Sequence, residues 1–464
     1  MARPVVALQP AHTADPLNPV VIAGAGLSGL AAGAGLAARG IPVTVLEQRP
    51  VPGGRATSFI DQNSGEEVDN GQHVLIAGYA HTLRFLDTIG TREFLNIQKT
   101  PELPFHHPVR GFQTVRFPAL PSPLHLAAGI AGTRLFTGTD KLRLLRAGGA
   151  LRRMDEKARA DIAGLTVEQW LDAVGQSEET KRSFWEPLAI AVMNEHIGAA
   201  SAAVFVRSMR EAFLSDPRGA SLALPSVGLS RLYAEPAAES IRRRGGAVRC
   251  GADVVESIAE GDKIQEVRLR SGESIACSAL ILAVPSYRAA SLLPAELRSS
   301  GFLDAIGTAP LSPIVSIHLW FDADFMPQSV LGVIGRHVQW LFNRRKIARA
   351  GGRGGYVTAV ISAAHETVDK PNDEIIRIAC DDLAGIYGTS AREPRRALVI
   401  REKRATFSCT PAMEILRPAP ITPIGNLFLA GDWTATGYPA TIEGAVLSGE
   451  RCVNLAEGWL RRLT

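Results

Sequence analysis

Gly24, Gly26 and Gly29 follow the short apolar run PVVIA (19–23) in the order G-x-G-x-x-G, and Glu47 stands 18 residues beyond Gly29. Residues of these types at this spacing suit the binding of a dinucleotide. The glycines let a diphosphate approach the backbone, and a carboxylate ending the next strand accepts hydrogen bonds from both hydroxyls of an adenosine ribose. Gly53, Gly54 and Arg55 come next, a second glycine pair for close approach and a cation for the pyrophosphate. For Arg55 the plainer alternative is a surface salt bridge. Near the other end, NLFLAGDWTATGYPATIEGAV (426–446) places Gly431 and Asp432 after an apolar run and Thr441 ahead of a helical pattern. An aspartate beside a helix N-terminus suits a ribityl hydroxyl and the electron-rich edge of a flavin, whereas a turn aspartate is the ordinary reading.

These side chains need particular elements to hold them. The spacing predicts a buried strand over Pro19–Ala23, a glycine turn, a helix over LAAGAGLAARG (30–40) and a second strand over Pro42–Leu46. Residues 245–285 read as several short strands, the last apolar and ending at Pro285, and the C-terminal stretch reads as strand, loop and a helix from near Thr441. The expected fold class is α/β: a discontinuous Rossmann-like FAD-binding domain (15–80, 236–290 and 416–464) with an α+β substrate domain. The latter takes a helical part from 81–235 and a strand-rich part from 291–415.

Composition excludes several function classes. With 464 residues, 46% of them hydrophobic and 21% charged, the chain reads as globular. Fifty Lys and Arg against 46 Asp and Glu give +4, too little to imply nucleic-acid binding. The five cysteines show neither a C-x-x-C pair nor metal-ligand spacing, so neither a disulfide framework nor a metal site is expected. The N-terminal residues lack a charged start followed by an apolar run, and the expected location is cytoplasmic, at most peripheral at the inner face of a membrane.

Taken together, G-x-G-x-x-G, the ribose acid, G-G-R and the terminal G-D with T-I-E-G-A resemble the FAD-dependent amine oxidase and carotenoid desaturase superfamily. Within it, DNGQHVL (69–75), FWEPLAIAVMN (184–194), ALPSVGLSRLYAEPA (223–237), VQWLFNR (338–344) and AGDWTATGYPATIEGAV (430–446) resemble the hydroxysqualene dehydroxylases. The resemblance implies FAD as cofactor and reduction of hydroxysqualene to squalene, in the supply of hopanoid precursors. It assigns Gly24, Gly26 and Gly29 to the pyrophosphate turn, Glu47 to the ribose, Arg55 to the pyrophosphate side and Val255 to a backbone contact with adenine. It assigns Asp432 to the ribityl chain and the Ile442 amide to the flavin pyrimidine, with Leu27, Ser28, Gln48, Gly53, Gly54, Gly71, Gln72, His73, Gly431 and Thr441 completing the cofactor contacts. Many amine oxidases carry a lysine near the flavin N5; the comparable strand here is SPIVSIHLWF (312–321), with Pro313 at that position and no lysine between Gly301 and Arg345. Amine oxidation with oxygen as acceptor is therefore disfavoured.

Replacing an allylic hydroxyl by hydrogen needs a proton for the departing oxygen and a hydride for the carbon. DNGQHVL is expected to pass the flavin, which makes His73 the leading proton donor or hydroxyl-positioning group, against a plain packing role. Asp69, Tyr438 and Glu443 are further candidates, each equally readable as a structural hydrogen-bond partner. Trp185, Trp340 and Phe342 fit either an apolar tunnel or ordinary core. Residues 104–153 hold eight Lys or Arg and a single acid, Asp140, with Phe105, Phe112, Phe117, Leu124, Leu126 and Phe136 interleaved. That mixture fits a surface resting on anionic lipid, or a solvated helical subdomain. The expected partner is a long-chain isoprenoid substrate. NAD(P)H is a candidate electron donor, docking transiently because no second G-x-G-x-x-G follows a strand. Two other readings remain: an oxidative desaturase of squalene or a carotenoid, and a flavin-bound isoprenoid carrier without redox turnover.

Overall fold

A computed structural model describes residues 18–348 and 352–463. Residues 15–17 of the expected nucleotide-binding segment lie outside the described residues. The elements that build the two large sheets and the cavity between them run as follows. β1 (Val20–Ala23), α1 (Leu27–Ala38) and β2 (Val43–Glu47) open the chain, followed by α2 (Ala80–Ile89), the hairpin β3 (Glu102–His107) and β4 (Gly111–Arg116), and helices α3 (Leu124–Gly132), α4 (Gly138–Arg153) and α5 (Ala202–Phe213). β5 (Ala247–Cys250) and β6 (Ala279–Leu282) come next, then β7 (Leu311–Phe321), β8 (Val330–Val333), β9 (Trp340–Asn343) and β10 (Gly355–Ser362). α6 (Asn372–Tyr387), β11 (Arg396–Phe407), β12 (Leu427–Leu429) and α7 (Ile442–Leu460) complete the set.

Five strands form a parallel sheet in the order β5-β2-β1-β6-β12, drawn from three separated stretches of the chain. Their sequences, such as VVIA and ALIL, are apolar throughout because both faces are covered. Val20 and Ile22 pack toward α1 and α7, while Val21 and Ala23 point the other way, into a core shared with Ile264 and Val267 of an antiparallel β-unit. Alternation along the strand thus feeds two cores.

The second sheet has seven strands, β11-β7-β10-β9-β8-β3-β4, with the long β7 paired antiparallel to β10 and β11. Val315, Ile317 and Leu319 of β7 face one side, where Ile375, Ala379 and Leu383 of α6 cover them. The opposite face carries Ile314, Ser316, His318 and Trp320, and its Ile314–Ser316 end forms a wall of the cavity.

The 104–153 stretch folds as β3, β4, α3 and α4. Phe105, Phe117 and Phe136 are buried, so they belong to the core and not to an exposed apolar face. The exposed apolar side chains are instead Val109, Phe112, Leu120, Leu124, Leu142 and Leu145. Among the described residues no helix is long and apolar enough to cross a membrane.

Candidate active site

A large cavity lies between the carboxyl ends of the parallel strands and the inner face of the second sheet. Open α/β sheets bind ligands at that edge, where loops diverge and helix amides point outward. Gly24, Gly26, Leu27 and Ser28 line it after β1, Glu47 and Gln48 after β2, and Gly431 and Asp432 after β12. Gly53, Gly54, Arg55, Gly71, Gln72, His73, Thr441 and Ile442 also lie on its wall.

The local geometry fits a dinucleotide cradle. A Cβ placed on Gly26 would meet nothing within 4 Å, so the backbone there is open to the cavity, and one on Gly54 would lie 3.2 Å from the Gly26 Cα, so two glycine turns converge. Gly29 is not on the wall; its added Cβ would fall 2.0 Å from the Gly24 carbonyl oxygen, which makes it the joint where α1 presses on the turn. The Glu47 carboxylate accepts the amides of Ala25 (2.8 Å) and Arg49 (2.9 Å), one on each oxygen, and each oxygen keeps a lone pair for a further donor. Arg55 and Asp432 form an ion pair at 2.8 Å, and Arg55 also donates to the Ala405 carbonyl at 2.6 Å. The Asp432 charge pushes the Arg55 pKa up, keeping its positive charge in place on the cavity wall beside the glycine turns. Thr441 caps α7 through its hydroxyl, which accepts the Gly444 amide at 3.2 Å, and the first turn of that 19-residue helix faces the cavity. Carboxylate, open glycine turns, cation and helix terminus are what FAD requires.

His73 lies on the wall with Nδ1 2.9 Å from the Gly71 carbonyl. A carbonyl only accepts, so Nδ1 carries the proton and neutral His73 presents Nε2 as an acceptor. Burial lowers the His73 pKa, and the Gly71 carbonyl and the nearby Asp69 charge oppose that shift. The neutral ring therefore predominates at neutral pH, a state suited to holding a hydroxyl; donating a proton from Nε2 requires the minor, protonated form.

Three proposed acids stand away from that wall. Asp69 is 2% exposed: one carboxylate oxygen accepts from the Ser58 hydroxyl (2.7 Å) and the Leu229 amide (3.0 Å), and the other lies 2.9 Å from Arg344, close enough for an ion pair but off-line for a hydrogen bond. Arg344 also donates to Gln72, so this buried pair anchors the 69–73 segment. Glu443 is 1% exposed and caps α2 by accepting the His81 amide, the Thr82 amide and the Thr82 hydroxyl. Tyr438 lines a separate side cavity of 30 Å³, far too small for a long substrate, with the Arg207 guanidinium 4.7 Å from its ring centre.

Other expectations also shift. Val255 is absent from the cavity wall, where Ala252, Asp253 and Val254 lie; neighbouring strand residues point their side chains opposite ways, which leaves the expected backbone contact of Val255 untouched. Pro313 does not line the cavity either. A bulge between Ser312 and Ile314 turns Leu311, Ile314 and Ser316 toward it. Trp340 and Phe342 lie on the wall, whereas Trp185 packs with Trp170, Phe184 and Phe205 in the core. Sequence reading missed Ser316 and Arg344, although Arg344 sits in the VQWLFNR stretch. His318, further along β7, is held by the Tyr356 hydroxyl (2.9 Å) and Thr358 (3.1 Å), and burial pushes it down to about 3.

Fold and site together define a flavin-dependent oxidoreductase. The family model for flavin containing amine oxidoreductases matches residues 27–456, and the chain belongs to that family. It is an enzyme, and FAD is its cofactor. It is 32% identical to the hydroxysqualene dehydroxylase of Sinorhizobium fredii over 444 residues, 94% of this chain and 98% of that protein. It is also 32% identical to the hydroxysqualene dehydroxylase of Rhodopseudomonas palustris over 450 residues, 94% of this chain and 97% of that protein. An oxidoreductase from Methanosarcina mazei has the same fold, with a TM-score of 0.74 at 18% identity over 94% of this chain and 100% of that one.

Proposed function

We propose that the enzyme removes the hydroxyl group of hydroxysqualene and replaces it with hydrogen, releasing squalene and water. The observation that carries this reading is the similarity to two hydroxysqualene dehydroxylases across 94% of the chain. The cavity suits such a substrate: away from the glycine turns its walls include Leu103, Leu188, Val192, Met209, Phe213 and Leu222, an apolar lining that a hydrocarbon chain would fill. The balance is simple. The C–O bond breaks, a C–H bond forms with two electrons from the cofactor, and the oxygen gains a proton and leaves as water. Bound FAD, once reduced, supplies the hydride. The chain's own residues do the rest. His73 receives the substrate hydroxyl at Nε2 and, when protonated, passes it a proton; the Asp69–Arg344 pair keeps the His73 segment at the wall; the apolar lining excludes water from the developing cation. NAD(P)H, docking transiently, is the proposed source of the cofactor's electrons.

The substrate must be drawn from a membrane, and we assign that contact to α3 and α4. Leu124, Leu142 and Leu145 are exposed there, and Arg134, Arg146, Arg152 and Arg153 have no carboxylate partner among the described residues. His125 on the buried side of α3 binds the carbonyl of Phe213, a cavity residue, so this helix packs beside the apolar end of the cavity. Apolar side chains set among unpaired cations fit an anionic bilayer surface. Co-sedimentation with phosphatidylglycerol vesicles should fall when Leu124 and Leu142 become Glu; unchanged binding removes this face from consideration. The reaction itself is tested by product. Hydroxysqualene incubated without oxygen in D₂O with chemically reduced enzyme should give squalene bearing deuterium at the carbon that held the hydroxyl, and recovery of unaltered alcohol refutes the proposal.

A further inference from the structure

We propose that Ser316 is the residue by which the cavity recognises the hydroxyl group of its substrate, an inference that rests on the dehydroxylation reading above. The β-sheet wall of the cavity is apolar over most of its area, with Ile314, Val330, Trp340, Phe342 and Val360 facing inward. Ser316 is one of its polar interruptions, with Ser362 on β10 and Glu402, Arg404 and Thr406 on β11. The residue is 2% exposed and lies on the cavity wall, and its hydroxyl has no hydrogen-bond partner among the described residues. Its Oγ is 3.7 Å from where a Cβ on Gly71 would stand, so it adjoins the segment that carries Gln72 and His73.

Buried hydroxyls are normally bonded, and an exception calls for a reason. Half of the buried serines among the described residues obey: Ser312 donates to the Asn194 carbonyl, Ser208 to Val204 and Ser257 to Leu292. The orphaned hydroxyls of Ser201, Ser221 and Ser278 are sealed from any solvent. Ser316 is neither bonded nor sealed, because its hydroxyl borders the cavity; Ser28 and Ser286 share that state, but they lie on the glycine-turn side, after β1 and after β6, and not on the sheet wall beside the His73 segment. Ser362, which sits across from Ile314 on β10, is also buried on the wall with a hydroxyl that has no partner among the described residues, so the polar spot spans two strands. A serine hydroxyl both donates and accepts. It donates to the substrate oxygen while the bare Nε2 of neutral His73 accepts the substrate's own proton.

The product lacks the oxygen, so the same serine makes the cavity prefer alcohol over hydrocarbon and aids product exit. Loss of one such hydrogen bond corresponds to roughly tenfold in affinity. The test uses FAD-loaded, oxidised enzyme titrated with hydroxysqualene or squalene in matched detergent micelles, with binding read from perturbation of flavin absorbance. Wild type should favour the alcohol about tenfold. Ser316→Ala should bring the ratio near one by weakening only the alcohol, and Ser316→Thr, which keeps the hydroxyl, should retain the preference. Three results overturn the proposal: an Ala variant that keeps the wild-type preference, one that loses both ligands equally, or one whose ligand-free flavin spectrum shifts while the alcohol preference stays. If wild type itself binds neither ligand, the dehydroxylation reading fails first, which separates the two failures.

Discussion

Replacing Arg344 by Met tests whether Asp69 acts as an anchor or as an acid. The pair lies at 2.9 Å with side chains 4% and 2% exposed. Unit charges about 4 Å apart attract by roughly 4 kcal/mol at an effective dielectric of about 20. Removing one partner from a buried pair typically costs about 3–5 kcal/mol, because the other charge is stranded. Ser58 and Leu229 still donate to one Asp69 oxygen, which places Arg344→Met toward the lower end, about 3 kcal/mol. Asp69→Asn should cost a similar amount by stranding Arg344, while Asp69→Asn with Arg344→Met removes both charges and should cost well under the sum, with a coupling of about 2 kcal/mol. Thermal melts of the four FAD-loaded proteins give that cycle. Single-turnover hydride transfer per bound flavin gives the second reading, and Asp69→Asn should stay within about threefold of wild type. Additive single effects below about 1 kcal/mol would refute the anchoring argument, and a rate loss of about a hundredfold at unchanged melting temperature would return Asp69 to the chemistry.

His73→Ala should retain FAD yet slow single-turnover hydride transfer by about a hundredfold or more, the usual scale of general acid catalysis. Because burial lowers the His73 pKa below its ordinary 6.5, the wild-type rate should decline as pH rises through that lowered value, and the alanine variant should lose this dependence; a flat wild-type profile removes His73 as donor. His318, at about 3 when folded against about 6.5 when unfolded, takes up its proton only on unfolding between those values. Its contribution is intact above pH 6.5 and stability falls by up to about 1.4 kcal/mol per pH unit on acidification toward 3, so His318→Gln should flatten the acid limb of a melting-temperature profile. Glu47→Ala and Asp432→Ala should each lower FAD retention on gel filtration, since both carboxylates lie on the cradle wall. Burial raises the thiol pKa of all five free cysteines, but four are buried and Cys250 is only half-buried, so Ellman's reagent should label Cys250 first in the native protein and all five only after denaturation.

The residues that sequence brings to the cavity wall are those set by neighbouring elements of the chain. Gly24, Gly26 and Glu47 follow from one strand–turn–helix–strand unit, and VVIA and LFL read as buried strands because their composition leaves no solvent face. Roles that depend on distant partners were hidden. Asp69 meets Arg344 only because β9 ends beside the 69–73 segment, and Glu443 caps a helix from far earlier in the chain. A carboxylate's type does not announce which it will do. One strand face was hidden for a local reason: the bulge after Ser312 changes which β7 side chains meet the cavity, so Ile314 and Ser316 line it and Pro313 does not. In the basic stretch, Phe105, Phe117 and Phe136 looked equivalent to Phe112, and only packing separates the three in the core from the one in solvent.

The direction of electron flow is the centre of the account, and one stopped-flow measurement reads it. Chemically reduced, FAD-loaded enzyme is mixed anaerobically with hydroxysqualene, flavin absorbance is followed, and the quenched mixture is assayed for squalene. Reappearance of the oxidised flavin spectrum with one squalene formed per flavin is the predicted result. A flavin that stays reduced beside unconsumed alcohol, while the oxidised enzyme bleaches on mixing with squalene or phytoene, would contradict it.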